Sequence, residues 1–342
     1  MAAGERTLIL AEGYSADPHH GKTMRGVLRY RREDVVAVLD SERAETSHEG
    51  IPLVADVESA LAYEPSVALV GVATTGGRFP PEWRVLLRQC IAHGLTIENG
   101  LHEMIGDDAE LRPLADQAGV ELRDLRRPPP GLDCPSGANL EVDASIVLTV
   151  GSDCAIGKMT VSLELDRAAQ SRGIASVFVP TGQTGIAIAG WGISVDAVVA
   201  DFIAGAAERL VVEGRQRGGE LLWVEGQGSL VHPMYSGVTL GLFHGSVPHA
   251  LVLCHKAGAT EIEGSPGHPI PPLRTLVDLH ERTSLPRRPA RVVAIAVNTA
   301  GLDPAAAADA VAAASAETGL PAADPVRDGP DELLDAVLAG VS

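Results

Sequence analysis

The chain has 342 residues, 45% hydrophobic and 21% charged, and at roughly 150 residues per domain this length suggests about two domains with cores of their own. Lys and Arg number 27 against 45 Asp and Glu, a net charge of −18, and aromatics make up only 3%. That balance argues against nucleic acid as a partner, because such binding draws on basic patches and stacking platforms. An anionic small molecule would have to be met by a local cluster.

The N-terminal MAAGERTLILAEG places Glu5 and Arg6 before a short apolar run and lacks the apolar core of a signal peptide. No apolar stretch reaches bilayer-spanning length. Cys90, Cys134, Cys154 and Cys254 stand far apart with no CxxC pair; they read as reduced thiols of a cytoplasmic protein, with no metal-like Cys/His spacing and hence no metal site expected.

Thr7–Ala11, Asp34–Asp40 and Ser66–Val72 read as strands, and Pro81–His93 and Ala109–Ala118 carry apolar residues at helical spacing. The alternation predicts a parallel α/β sheet. RRPPPGLDCPSG, Arg126–Gly137, breaks it with consecutive prolines. The expected division is a first domain over 1–130, a Pro/Gly-rich linker over 131–144 and a second α/β domain over 145–342. In the second, Ser145–Val150 is a buried strand and Lys158–Arg172 a helix closed by Gly173. Ile174–Pro180, Leu221–Val224, Ala250–Cys254 and Arg291–Asn298 are further strands, and Asp303–Thr318 an alanine-rich helix.

The strongest motif is TVGSDCAIGKMT, Thr149–Thr160, between a strand and a helix. A phosphate loop wraps anions with successive backbone N–H groups, a lysine and a helix N-terminus. The strict G-x-x-x-x-G-K-[ST] pattern fails at both ends: Ser152 holds the first glycine position, with Gly151 one residue early, and Met159 separates Lys158 from Thr160. One helical step rotates a side chain by about 100°, so Thr160 is displaced from the usual magnesium-binding position. Phosphate binding is assigned to Gly151, Ser152, Asp153, Cys154, Ala155, Ile156, Gly157, Lys158, Met159 and Thr160. Cys154 reads as a small residue filling the loop rather than a nucleophile.

Downstream, LLWVEGQG, Leu221–Gly228, is an apolar strand ending in an acid, which makes Glu225 a site candidate. PTGQTG, Pro180–Gly185, ends another strand with the donors Thr181, Gln183 and Thr184, expected to line the cleft. Asp196 and Asp201 fall five apart on an expected helix. His232, Tyr235 and Ser236 lie in LVHPMYSG and His244 in LFHGS, both read as loops. His19, His20 and His48 read as surface residues.

GSDCAIGKMT, PTGQTGIAIAGWG, VDAVVADFIAGAAE and EGQGSLVHPMYSGVTLGLFHGS, in this order, closely resemble the DgcN-type proteins, and GKTMRGVLRYR, VGVATTGGRFPPEWR and GLTIENGLHEMIGDD extend the likeness over nearly the whole chain. The resemblance implies a D-glutamate N-acetyltransferase using acetyl-CoA, functionally coupled to an N-acyl-amino-acid racemase or dipeptide epimerase. The expected fold is α/β, with a Rossmann-like first domain and a P-loop NTPase-like second domain with a mostly parallel sheet. Two further likenesses bear on the halves. The loop glycines with VEGQG look like dethiobiotin synthetase, although Met159 stands where that enzyme has its threonine. EGIPLVADVESALAYEPSVALVGVA, Glu49–Ala73, resembles the CoA-binding domain of succinyl-CoA synthetase, without a glycine-rich first turn in AEGYSADPHHGKT.

The reading that follows is transfer of an acetyl group from acetyl-CoA to the amine of an acidic amino acid. It needs a neutral amine, a held carbonyl and an oxyanion donor. Glu225 or His232, with Asp201 next in line, would take the proton. Thr181, Gln183, Thr184, Tyr235 and Ser236 would hold the substrate. The alternative is an ATP-dependent kinase or ligase acting on a carboxylate, which alone would require Mg2+, and a third reading is a nucleotide-responsive regulator without turnover. A homo-oligomer with no nucleic-acid or membrane partner is expected.

Overall fold

The computed structural model describes residues 4–17, 20–44 and 46–341. The chain forms two compact units, residues 1–128 with 182–197, and residues 129–181 with 198–342.

The first unit is built on short apolar runs that become buried strands: Thr7–Leu10 (β1), Val35–Leu39 (β2), Ser47–His48 (β3), Ile51–Val54 (β4), Val67–Val70 (β5), Thr96–Asn99 (β6) and Leu122–Asp124 (β7). They join in the order β3-β4-β2-β1-β5-β6-β7, parallel except for the β3–β4 pair. Setting β3 aside, the order is that of a Rossmann-like sheet, reversing direction between β1 and β5. The connecting helices are Lys22–Tyr30 (α1), Val57–Ala60 (α2), Trp83–Ala92 (α3) and Leu111–Ala118 (α4). All three strands and both helices read from the sequence of this half are present; β3, β4, β6, β7, α1 and α2 add to them.

In the second unit, Ser145–Gly151 (β8) leads into helix Lys158–Ser171 (α5), as expected. Gly157 precedes the helix at φ 111° and Gly173 follows it at φ 75°, both in the left-handed region that favours glycine. Strand Ser176–Val179 (β9) follows; helix Gln183–Ala189 (α6) counts with the first unit. Then come Ile203–Gln216 (α7), Leu221–Val224 (β10), Ser236–Ser246 (α8), Ala250–Lys256 (β11), Leu273–Thr283 (α9), Arg291–Asn298 (β12), Pro304–Thr318 (α10), Ala322–Ala323 (β13) and Asp331–Val341 (α11). Helix α10 starts where the sequence places it because Asp303 accepts from the N–H groups of Ala305 and Ala306, with Pro304 in the first turn.

The sheet is wholly parallel in the order β13-β12-β11-β8-β10-β9. Val147, Trp223, Val252 and Ala294 on one face pack with Val161 and Leu165 of α5 and Leu333 and Val337 of α11. This apolar layer fixes β8 as a central strand, so the loop at its carboxyl end has neighbours on both sides. Trp223 Nε1 donates to Ser176 Oγ at 2.8 Å, satisfying the one polar atom the indole carries into the core. No helix among the described residues is long and apolar enough to cross a membrane.

Candidate functional site: the loop after β8

The loop is glycine-dependent at two points. A Cβ at Gly226 would lie 1.7 Å from Thr149 O, backbone that cannot give way. Gly226 thus lets the end of β10 touch the base of the loop, where its N–H donates to Thr149 Oγ1 at 2.9 Å. Gly157 supplies the turn into α5. Ala155 takes φ 52° without being glycine, a conformation that side chains rarely adopt.

The backbone donors divide sharply. Ser152 N donates to Cys254 O at 3.0 Å and Cys154 N to Asp153 Oδ1 at 2.6 Å. The N–H groups of Ala155, Ile156, Gly157, Lys158, Met159 and Thr160 meet no protein acceptor among the described residues. Consecutive unpaired amides at a helix N-terminus form an anion cradle. Lys158 is buried and its Nζ donates to Asp153 O at 2.7 Å. Burial holds its pKa below the ordinary lysine range, opposed by Cys154, Cys254, Asp153 and Glu225. An arriving phosphate would add a further counter-charge and favour the ammonium.

Glu225, also buried, ends β10; its Oε2 accepts from Thr181 N at 2.9 Å, while Thr181 Oγ1 donates to Glu225 O at 2.6 Å. Gln227 joins this pair by donating Nε2 to Thr181 Oγ1 at 3.1 Å. Glu225 and Thr181 therefore stand together beside the loop. Gln227 was not singled out in the sequence, although the VEGQG motif contains it.

His232 is buried, with its Nε2 3.9 Å from Asp153 Oδ1. Met234 N donates to His232 Nδ1 at 3.2 Å, which assigns the ring proton to Nε2 and occupies the lone pair that a base would use. The Asp153 carboxylate is held further by Glu263 N at 2.8 Å. Asp153, Cys154 and His232 offer ligand atoms within 4.8 Å of one another, a grouping of metal-binding types. A metal on Nε2 would drive the ring proton onto Nδ1, against the Met234 N–H, so the tautomer as it stands does not suit metal binding. Tyr235 is exposed and stacks obliquely on His232 with centroids 4.6 Å apart; Ser236 opens α8.

Gln183 and Thr184 sit on α6 in the first unit, where Thr184 Oγ1 lies 2.8 Å from Thr23 Oγ1. The expected helix bearing Asp196 and Asp201 is absent. The extended backbone of Val199 separates two short 3-10 turns, Val195–Ala197 and Ala200–Phe202, which fall in different units. Asp196 pairs with the buried Arg126 and accepts from Ser194 Oγ at 2.7 Å; Asp201 is exposed. His244 lies on α8 rather than in a loop, its Nε2 2.9 Å from Thr283 O. His20 and His48 are half-buried, and His20 Nδ1 lies 2.8 Å from Asp17 Oδ2; His19 lies outside the described residues. The four cysteines are free thiols.

Fold and site together define a P-loop α/β protein carrying a Rossmann-like N-terminal unit. The chain belongs to the DUF1611 family: its P-loop domain of unknown function matches residues 134–334 and its Rossmann-like N-terminal domain residues 39–128. A crystal structure of a DUF1611 family protein from Anabaena variabilis superposes with a TM-score of 0.92 at 42% identity, covering 98% of this chain and 99% of that one. A D-glutamate N-acetyltransferase of Tritonibacter scottomollicae is 38% identical over 83% of this chain and 84% of its own length. A second protein of that name, from a Pseudoalteromonas species, is 36% identical over 78% and 79%.

Proposed function

We propose that this protein is a D-glutamate N-acetyltransferase that takes its acetyl group from acetyl-CoA. The observation that carries the reading is the likeness to the two enzymes of that name over about four-fifths of the chain. The run of unpaired amides from Ala155 to Thr160, with Lys158 behind it, supports a pyrophosphate-bearing donor.

Transfer requires the substrate ammonium to lose a proton, the amine to attack the thioester carbonyl, and the CoA thiolate to depart and take up a proton. Glu225 is the acceptor we assign, because its carboxylate is buried beside Thr181 and Lys158, whereas His232 has its acceptor nitrogen engaged. An extended pantetheine arm spans the length of roughly four residues, about 13–14 Å. That gives it slack to bring the thioester back over β10. Thr181 is buried with its N–H and hydroxyl both spent on Glu225, so we give it the role of steadying that carboxylate, and assign Gln227, Tyr235 and Ser236 to hold the substrate or the acyl oxygen. Thr160 lines the β12 side of the loop while Glu225 lies on its β10 side. Thr160 also comes one helical step late for the usual magnesium position, which favours the acyl donor over Mg-ATP.

We place the enzyme in the cytoplasm as a homo-oligomer, coupled to a racemase or epimerase acting on N-acyl amino acids. The deciding experiment measures thiol release from acetyl-CoA across D- and L-amino acids. Release dependent on D-glutamate is expected. ADP release from Mg-ATP, with no thiol released for any amine, would overturn the proposal.

A further inference from the structure

Beside the phosphate loop lies a recess of about 410 Å³, within the ~300–1,000 Å³ of ordinary ligand pockets. Its walls are Ile156, Gly157 and Val161 on the loop side, and Val297, Ala300 and Val326 on the other. Two of the polar side chains between them, Asn298 and Asp324, are consumed in holding the walls. Asn298 donates Nδ2 to Ile156 O at 3.0 Å and accepts from Ala300 N at 3.0 Å. The Asp324 carboxylate accepts from Thr299 N at 3.0 Å, Thr299 Oγ1 at 2.5 Å, Val326 N at 2.9 Å and Arg327 N at 3.2 Å. What remains is a rigid, apolar slot opening next to a row of unpaired amides. A flat heteroaromatic group joined to a phosphate would fill both together.

One cation stands at this recess. Arg327 is exposed; its Nε donates to Thr299 Oγ1 at 3.0 Å and its Nη2 to Leu302 O at 2.8 Å, and it forms no ion pair among the described residues. In a chain of net charge −18, a guanidinium fixed by neutral acceptors beside an apolar slot is a local anion site.

We propose that the recess takes the adenosine 3′-phosphate end of the acyl donor, with the adenine between Gly157 and Ala300 and the 3′-phosphate on Arg327. This deepens the reading given under Proposed function and rests on it for the identity of the donor. It also orients the donor across the carboxyl edge of the sheet. Adenine lies at β12, the pyrophosphate over β8, and the pantetheine arm crosses β10 toward β9, each strand about 4.8 Å from the next. The acyl end then arrives on the side of Glu225, Gln227 and Thr181. Thr160, late in the motif, lines the recess instead of completing a metal site.

The test compares acetyl-CoA with acetyl-dephospho-CoA, which lacks only the 3′-phosphate, in wild type, Arg327→Gln and Arg327→Lys. Turnover gives the KM ratio, and calorimetry with adenosine 3′,5′-bisphosphate gives binding without chemistry. Wild type should favour acetyl-CoA by about tenfold or more, the scale of one charge-assisted contact. The glutamine variant should bring the ratio near one, and the lysine variant should keep most of the preference. An Ala300→Leu variant that fills the slot should weaken bisphosphate binding by a similar factor. A ratio unchanged in Arg327→Gln, or bisphosphate binding unchanged in both Arg327→Gln and Ala300→Leu, would overturn the assignment. If wild type binds the bisphosphate and the variants lose it, yet no amine is acetylated, the recess stands and the acetyltransfer reading falls.

Discussion

Each unit opens with a buried strand, β1 or β8, whose carboxyl end feeds a loop and then a helix, α1 or α5, and the two loops dispose of their amides in opposite ways. After β1, Gly13 N and Ser15 N donate at 3.2 and 3.1 Å to Asp40, a buried acid at the end of β2, which also receives the Ser15 hydroxyl. Glu12 in the same loop accepts from Ser41 N at 2.7 Å. The protein's own carboxylates occupy the places where a sheet of this order would receive a nucleotide. After β8, six consecutive amides are left open. Topology alone does not make a site; the donors must be unspent.

The largest effect expected from breaking this contrast is at Gly226. A Cβ there would sit 1.7 Å from the carbonyl that forms the base of the open loop, backbone against backbone, with no flexible side chain to yield. Gly226→Ala should cost at least about 3 kcal/mol in denaturant unfolding. A loss under about 1 kcal/mol would show that the close approach can relax. Next is the proton. Glu225→Gln should lower the turnover number at least about a hundredfold while CoA still binds, whereas His232→Gln should keep turnover within roughly tenfold of wild type. The reverse order would make His232 the acceptor despite its engaged Nδ1.

Lys158→Ala removes the one buried ammonium behind the open amides, and the KM for acetyl-CoA should rise by about tenfold or more. An unchanged KM in a folded variant would mean that the loop does not hold the donor. The matching change in the closed loop is Asp40→Ala. It strands the amides of Gly13 and Ser15 and should cost about 1–3 kcal/mol of stability, with the KM for acetyl-CoA unaltered. A rise in KM there, like that of Lys158→Ala, would end the contrast between the two loops.

The open loop was legible because its chemistry is contiguous. One strand, one turn and one helix carry every amide, and β8 and α5 fall within a residue of their expected ends. What escaped the sequence did so for identifiable reasons. Helix α8 contains Gly237, Gly241 and Gly245 and therefore reads as a loop. A Cβ at Gly241 would press on Ile203 at 2.7 Å, and one at Gly245 on Ala204 O at 2.1 Å, so these two glycines let α8 lie against α7. Strand β6, TIEN, ends in buried Glu98 and Asn99, where Asn99 Nδ2 donates to Glu103 O at 2.7 Å and Asp124 Oδ1 at 2.8 Å; buried polar residues hide a strand from any apolar count. The grouping of 182–197 with the first unit depends on contacts such as Thr184 with Thr23, 161 residues apart in sequence.

The smallest expected effect tests whether the acids of the first unit serve its fold. Asp108 accepts from Arg84 Nη2 at 2.7 and 2.9 Å and from the N–H groups of Glu110 and Leu111 at 2.9 Å each, capping α4 while pairing with α3. Arg84 is the main reason its carboxyl falls from 3.8 to about 2. A folded pKa below the unfolded one gives stability that is fully present above pH 3.8 and is lost as pH falls toward 2. The aspartate side chain is 18% exposed and the arginine 31%, so water screens the pair and the contribution is about 1 kcal/mol. Urea unfolding of wild type and Asp108→Asn should therefore differ by about that much at pH 5 and converge as pH drops through 3. A gap that stays constant across this range would mean that Asp108 acts through shape and backbone capping, and that its charge contributes nothing to the first unit.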